Sequence, residues 1–148
     1  MSSIRSFHHL VAALLPAHHW GFSLLILLLE LISGPAYAEW VALGDSDSGT
    51  TIYVDTNTLQ PNGTHINMWV LYDFKTMHTA TGGSFFSSKA HTEYDCTAVR
   101  QRMLAYTRFS GHMGNGKVVS GESDYGGWTT IAPKSVGQIL WRFACSKE

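Results

Sequence analysis

The chain has 148 residues, a formal net charge of −1 and 12 % aromatic residues. That length holds one domain and hardly two, and the aromatic content excludes a chain disordered by composition. The near-neutral charge excludes the basic excess that nucleic-acid binding requires and leaves no polybasic patch for a membrane surface.

The first 38 residues are arranged like an export signal. Arg5 and four histidines (His8, His9, His18, His19) precede any acid. An apolar run follows from Trp20 to Leu29 and on to Ile32, then the helix breakers Gly34 and Pro35. Ala36-Tyr37-Ala38 places small side chains where signal peptidase needs them, at positions −3 and −1. Cleavage is expected after Ala38, leaving residues 39–148 as the working domain. No cysteine follows the cut, so a lipoprotein signal is not expected. An uncleaved anchor is the competing reading. Glu30 inside the run, and a run short of the ~20 apolar residues a span needs, count against it. Without residues 1–38 no membrane span is expected. The protein is then periplasmic, secreted or at the cell surface.

Beyond Glu39, short strand-like runs alternate with turns. Trp40–Leu43 and Thr50–Asp55 flank the polar stretch Gly44 to Gly49. Asn62-Gly63 between extended runs signals a hairpin. Thr64–Phe74 alternates with period two: Ile66, Met68, Val70, Tyr72 and Phe74 share one face, the opposite face being partly wet. Residues 75–84 are expected as a mobile loop. Phe85–Cys96 and Arg100–Phe109 are further strands, and Gly111–Gly116 is a turn into a short strand at Lys117–Val119. Gly121–Gly127 is expected as loop. Ser135 with Gln138 three residues on is a capping-box start behind Pro133. Val136, Ile139, Leu140, Phe143 and Ala144 then repeat at helical spacing, an apolar stripe for the sheet. The fold class expected is α+β: an antiparallel sheet of five to six strands with one C-terminal helix packed on it.

Residues 39–148 hold two cysteines, Cys96 and Cys145. An oxidising compartment favours pairing them, and closing a loop of that size contributes about 4 kcal/mol in the chain-entropy model. Two free thiols are the alternative.

Several motifs imitate chemistry and lack its remaining parts. Gly44-Asp45-Ser46 resembles the nucleophile block of GDS-type esterases, but no aspartate of residues 39–148 has a histidine three residues later to complete the triad. Asp45 and Asp47 imitate a calcium loop, but Thr50 and Thr56 stand where its Gly and Glu belong. Gly111-His112-Met113-Gly114-Asn115-Gly116-Lys117 nearly spells a P-loop. Val118 replaces the magnesium-holding hydroxyl, and a strand follows where a helix should begin. His65, His78, His91 and His112 show no metal-ligand spacing. Asn62-Gly63-Thr64 matches a glycosylation sequon that the hairpin already explains. No catalytic set, metal site or cofactor is expected. One surface feature remains. Arg100, Arg102, Tyr106 and Arg108 share parity on their strand, beside Glu93 and Asp95 on the strand before. Cross-strand ion pairing is one reading, and a basic, aromatic-edged face for an acidic partner is the other.

The order of motifs is more specific than any one of them. Tyr53-Val54-Asp55 comes first, then Met68 to Phe74, Ser88-Lys89, Glu93-Tyr94-Asp95-Cys96, Tyr106, Met113-Gly114-Asn115-Gly116, Trp128, Pro133 and Ala144-Cys145. This series resembles the surface-adhesin protein E family of Gram-negative bacteria over nearly all of residues 39–148. The resemblance implies an antiparallel sheet with one helix, an envelope or surface location and adhesion to host matrix proteins. The absent lipoprotein cysteine is a departure from that family. The function expected is a non-enzymatic protein-binding module of the envelope, its partner a host matrix or envelope protein. A structural or accessory periplasmic domain of an envelope complex is the alternative.

Overall fold

The computed structural model describes residues 39–124 and 126–146, so the expected export signal and its expected cleavage point lie outside the described residues. The strands are β1 Trp40–Asp45, β2 Thr50–Asp55, β3 Gln60–Asn62, β4 His65–Ala80, β5 Gly83–Asp95, β6 Arg100–Phe109, β7 Val118–Ser123 and β8 Thr129–Thr130. The helix α1 spans Val136–Cys145. The strands form one antiparallel sheet in the order β1-β2-β4-β5-β6-β7, with β3 added beside β4 and β8 beside β6. The α+β expectation is met, with eight strands among the described residues rather than five or six.

The alternation in β4 sets the core. Ile66, Met68 and Val70 point to one face and are buried with Ile52, Val54 and Tyr94. Helix α1 covers them with Leu140 and Ala144, both essentially inaccessible. The expected helical stripe is narrower than its spacing suggests: Ile139 is 55 % exposed. A helix of ten residues laid on a twisted sheet contacts it along one line, which here runs through Leu140 and Ala144. Ser135 caps the helix, its Oγ accepting from the Gln138 amide at 3.2 Å, while Gln138 Oε1 accepts from the Lys134 amide at 2.8 Å. The reciprocal bond therefore returns one residue earlier than in the standard capping box. Cys96 and Cys145 form a disulfide that ties the helix end to the turn after β5.

The expected loop at 75–84 is instead the end of a long hairpin. Pairing of β4 with β5 runs from His65↔Asp95 to Asp73↔Ser87, is interrupted by a bulge, and resumes from His78↔Phe85 to Ala80↔Gly83. The polar, glycine-bearing sequence is that of a tight turn and its solvent-facing arms, not of a disordered link. Gly82, at φ +104°, makes the reversal, and a Cβ there would stand 2.5 Å from the Val119 carbonyl oxygen. Only glycine lets the hairpin tip lie this close to β7. Likewise Gly121 to Ser123 continue β7 rather than opening a loop. The hairpin signalled by Asn62-Gly63 is present, with Asn62 paired to His65 across Gly63 and Thr64.

The opposite face is not simply wet. Leu71, Ser87 and Glu93 are buried there. The turn His112–Gly114 lies over part of it: Asp73 Oδ1 accepts from the Met113 amide at 2.7 Å, and Ser87 Oγ from the Gly114 amide at 2.9 Å. Two amides of the P-loop imitation, those of Met113 and Gly114, are thus engaged by side chains of the sheet.

The division of the helix into a buried line and an exposed flank is directly measurable. Leu140→Ala is expected to lower unfolding stability by about 2–5 kcal/mol in urea melts. Ile139→Ala should stay within about 0.5 kcal/mol of the parent.

Candidate functional site: a split arginine strand and an aromatic cleft

The four β6 residues expected on one face are divided between two. Glu93 pairs with Arg102 and Thr92 with Met103, but His91 pairs with Ala105, so Leu104 is an extra residue on β6. A bulge of this kind reverses the parity of everything beyond it. Arg100 and Arg102 therefore share a face with Asp95 and Glu93. Tyr106 and Arg108, paired with Ala90 and Ser88, lie on the face that carries the core.

On the first face the charges are matched. Arg102 Nε donates to Glu93 Oε2, and Asn62 Nδ2 to Glu93 Oε1. Arg100 Nε donates to Asp95 Oδ2 at 2.9 Å. His65 sits between the carboxylates, 3.7 Å from Glu93 and 3.5 Å from Asp95. Trp128 lies over both guanidinium groups, at 4.8 and 4.9 Å, and 4.9 Å from the His65 ring. Trp128 comes from a loop far along the chain, and no spacing in the sequence points to it. Glu93 and Asp95 are buried, and a buried carboxylate persists only with such partners. Asp95 is held well below the usual carboxylate range, chiefly by the Ala98 amide, then by the Thr97 hydroxyl, with Arg100 and the Thr97 amide adding to it. This cluster closes a structural corner.

On the second face, past the end of the helix, the sheet forms an open cleft of about 310 Å³ lined by Tyr72, Phe74, Phe85, Met103, Tyr106 and Arg108, among others. Tyr72 and Met103 also wall an adjoining cleft of about 210 Å³. Phe74 and Phe85 meet edge to face at 5.6 Å, with His78 4.4 Å from Phe74. The Arg108 guanidinium carbon lies 4.6 Å from the Tyr106 ring centre and 5.1 Å from that of Phe85. Its polar partner is Ser120 Oγ, at 3.4 Å. Among the described residues, no carboxylate lies within ion-pair distance of Arg108. Burial pushes Tyr72 up to about 12, so its phenol stays neutral beside the cleft. Sequence parity named Tyr106 and Arg108 but missed Phe74 and Phe85, which β4 and β5 bring to the same cleft, and Met103, which the bulge puts on the face of Tyr106 and Arg108.

Other candidates are already occupied from within. The Asp45 carboxylate of the calcium-loop imitation accepts from Thr51 Oγ1 at 2.6 Å and from Lys75 Nζ at 2.9 Å, which together hold its pKa down. A cleft beside it, between the β1–β2 turn and the start of the helix, is walled by Leu43, Ile52, Val136 and Ile139. Among the described residues, no three His, Cys, Asp or Glu side chains converge as a metal site, and no helix is long and apolar enough to cross a membrane.

The family model of surface-adhesin protein E matches residues 40–146. The chain belongs to this family. Solved structures of Haemophilus influenzae protein E share its fold. Crystal form II superposes with a TM-score of 0.56 at 11 % identity, covering 72 % of this chain and 96 % of that one. The selenomethionine form gives 0.55 at 9 % identity, covering 72 % and 93 %. Protein E from a non-typeable Haemophilus influenzae gives 0.55 at 7 %, covering 74 % and 77 %. No curated protein sequence matches the chain. At these identities the family members share strands and helix, while their surface side chains are free to differ.

The lowered pKa of Asp95 sets an acid limb of stability. Its contribution is complete above the unfolded value, 3.8, and is lost as pH falls from there through the depressed folded value. In urea melts Asp95→Asn should therefore be less stable than the parent at neutral pH, and the gap should narrow steadily below about pH 4.

Proposed function

We propose that this chain is an exported, non-enzymatic envelope protein that binds a protein partner through the helix-bearing face of its sheet, at the Arg108 cleft. One observation carries the choice of face. Arg108 is held between two aromatic rings in an open cleft and has no carboxylate partner among the described residues, whereas Arg100 and Arg102 are neutralised. Arginine and aromatic side chains gathered in a recess that a partner can desolvate are the composition from which binding hot spots are built. Membership of a surface-adhesin family supports a surface or secreted location and a protein ligand. The arrangement of residues 1–38 supports export with cleavage after Ala38. The partner is then a host matrix protein or another envelope protein.

The test uses the processed protein, its first residue fixed as Glu39 by mass. It is immobilised and presented with purified matrix proteins and, separately, with envelope extract. Specific retention at micromolar concentration is expected. It should fall about tenfold or more when Ser88→Trp fills the cleft, with the circular dichroism of the fold unchanged. Retention of nothing from either source contradicts protein binding, and undiminished retention by the filled variant contradicts the face.

A further inference from the structure

The chemistry of the cleft narrows what it can accept. We infer that it captures a single acidic side chain on an extended segment of the partner, with an apolar side chain next to it. This rests on the reading of the helix-bearing face as the protein-binding face.

Arg108 carries five N–H donors in a planar fork, the geometry that matches a carboxylate. Among the described residues, only the weak contact to Ser120 draws on them, at 3.4 Å. The two other arginines of β6 show that this strand pairs its guanidinium groups where an acid is at hand: Arg100 takes Asp95 and Arg102 takes Glu93. The bulge at Leu104 carries Arg108 to the other face, where no carboxylate among the described residues lies within ion-pair distance of it. The rings of Phe85 and Tyr106 hold the fork without competing for its donors.

The surroundings are apolar. Phe85 is 7 % exposed and Ala90 1 %, and Tyr72, Phe74 and Met103 continue the wall. A carboxylate alone would leave that wall wet, and an apolar group alone would leave the guanidinium uncompensated as it loses water. A ligand bearing both satisfies both. The adjoining cleft shares Tyr72 and Met103, so a segment can run on past the acid in place of ending there. Glu122 limits the number of acids. It pairs with Tyr106 on the same face, is exposed, and does not reach Arg108 within ion-pair distance. It repels a second carboxylate at the β7 end while leaving Arg108 available.

The test is a nuclear magnetic resonance titration of the processed protein with three short peptides. The first is capped at both ends and contains Phe-Glu-Leu. The second is its Phe-Gln-Leu counterpart. The third is the Gln peptide with a free C-terminal carboxylate. The Glu peptide should shift the Arg108 Nε–H and Met103 methyl signals, with a dissociation constant in the millimolar range or below. The Gln peptide should bind at least about tenfold more weakly. Arg108→Gln should abolish that preference, so that the Glu and Gln peptides bind alike. Arg108→Lys, which keeps the charge and loses the fork, should retain only part of it. Equal binding of the Glu and Gln peptides overturns the inference. So do a preference that survives Arg108→Gln, shifts confined to the Lys89 or Lys117 surroundings, or no shift at all. Binding of the free-carboxylate peptide alone overturns the assignment to a side chain. If any of these occurs while matrix or envelope proteins are still retained and released by Ser88→Trp, the acidic-segment reading fails and the protein-binding reading stands.

Discussion

The Asp95 carboxylate is the fixed point of this fold. One oxygen accepts from the Thr97 amide at 3.0 Å, the Thr97 hydroxyl at 2.8 Å and the Ala98 amide at 3.0 Å, while the other accepts from Arg100 at 2.9 Å. Its main-chain oxygen accepts the Trp141 indole N–H at 2.9 Å. The next residue, Cys96, is bonded to Cys145 at the end of the helix. A buried charge is tolerated because four hydrogen bonds converge on it. The result is that the end of β5, the start of β6 and the end of α1 meet at one place. Val99, a β-branched residue at φ +47°, sits in this turn in a conformation that such residues rarely adopt. Its carbonyl oxygen accepts from the Ile131 amide at 3.1 Å, which ties the segment before the helix to the same turn.

From that point the register of β6 follows, and with it the division of its arginines between two faces. Arg100 and Arg102 are set opposite Asp95 and Glu93, and Leu104 then shifts the strand by one residue. The bulge gives one strand two kinds of arginine. Two are charge-matched and roofed by Trp128, and belong to the corner that holds the fold together. The third lies in an aromatic cleft, with no carboxylate among the described residues within ion-pair distance.

Much of this was legible in the chain. The alternation from Ile66 to Phe74, the Ser135 cap and the cysteine pair indicate the sheet, the helix and their covalent tie, because each is a local pattern with one physical cause. What escaped was set by distant backbone. The 75–84 segment reads as a loop because its residues are polar and small, yet β4 and β5 pair across it and Gly82 closes the turn against β7. Ile139 fits the helical period but not the line along which the helix meets the sheet. Counting alternate residues along β6 put Arg100 and Arg108 together, and one unpaired Leu104, which no composition announces, separates them. Neither Trp128 nor Phe85 could be joined to the arginines from spacing, since each reaches them from another element.

The account depends most on that separation, and ring-to-guanidinium contacts in solution report it directly. Nuclear Overhauser contacts from the Arg108 Nε–H should reach the ring protons of Phe85 and Tyr106, and those from the Arg102 Nε–H the indole of Trp128. A contact between Arg108 and Trp128, or between Arg102 and Phe85, would place all the arginines on one face and contradict it.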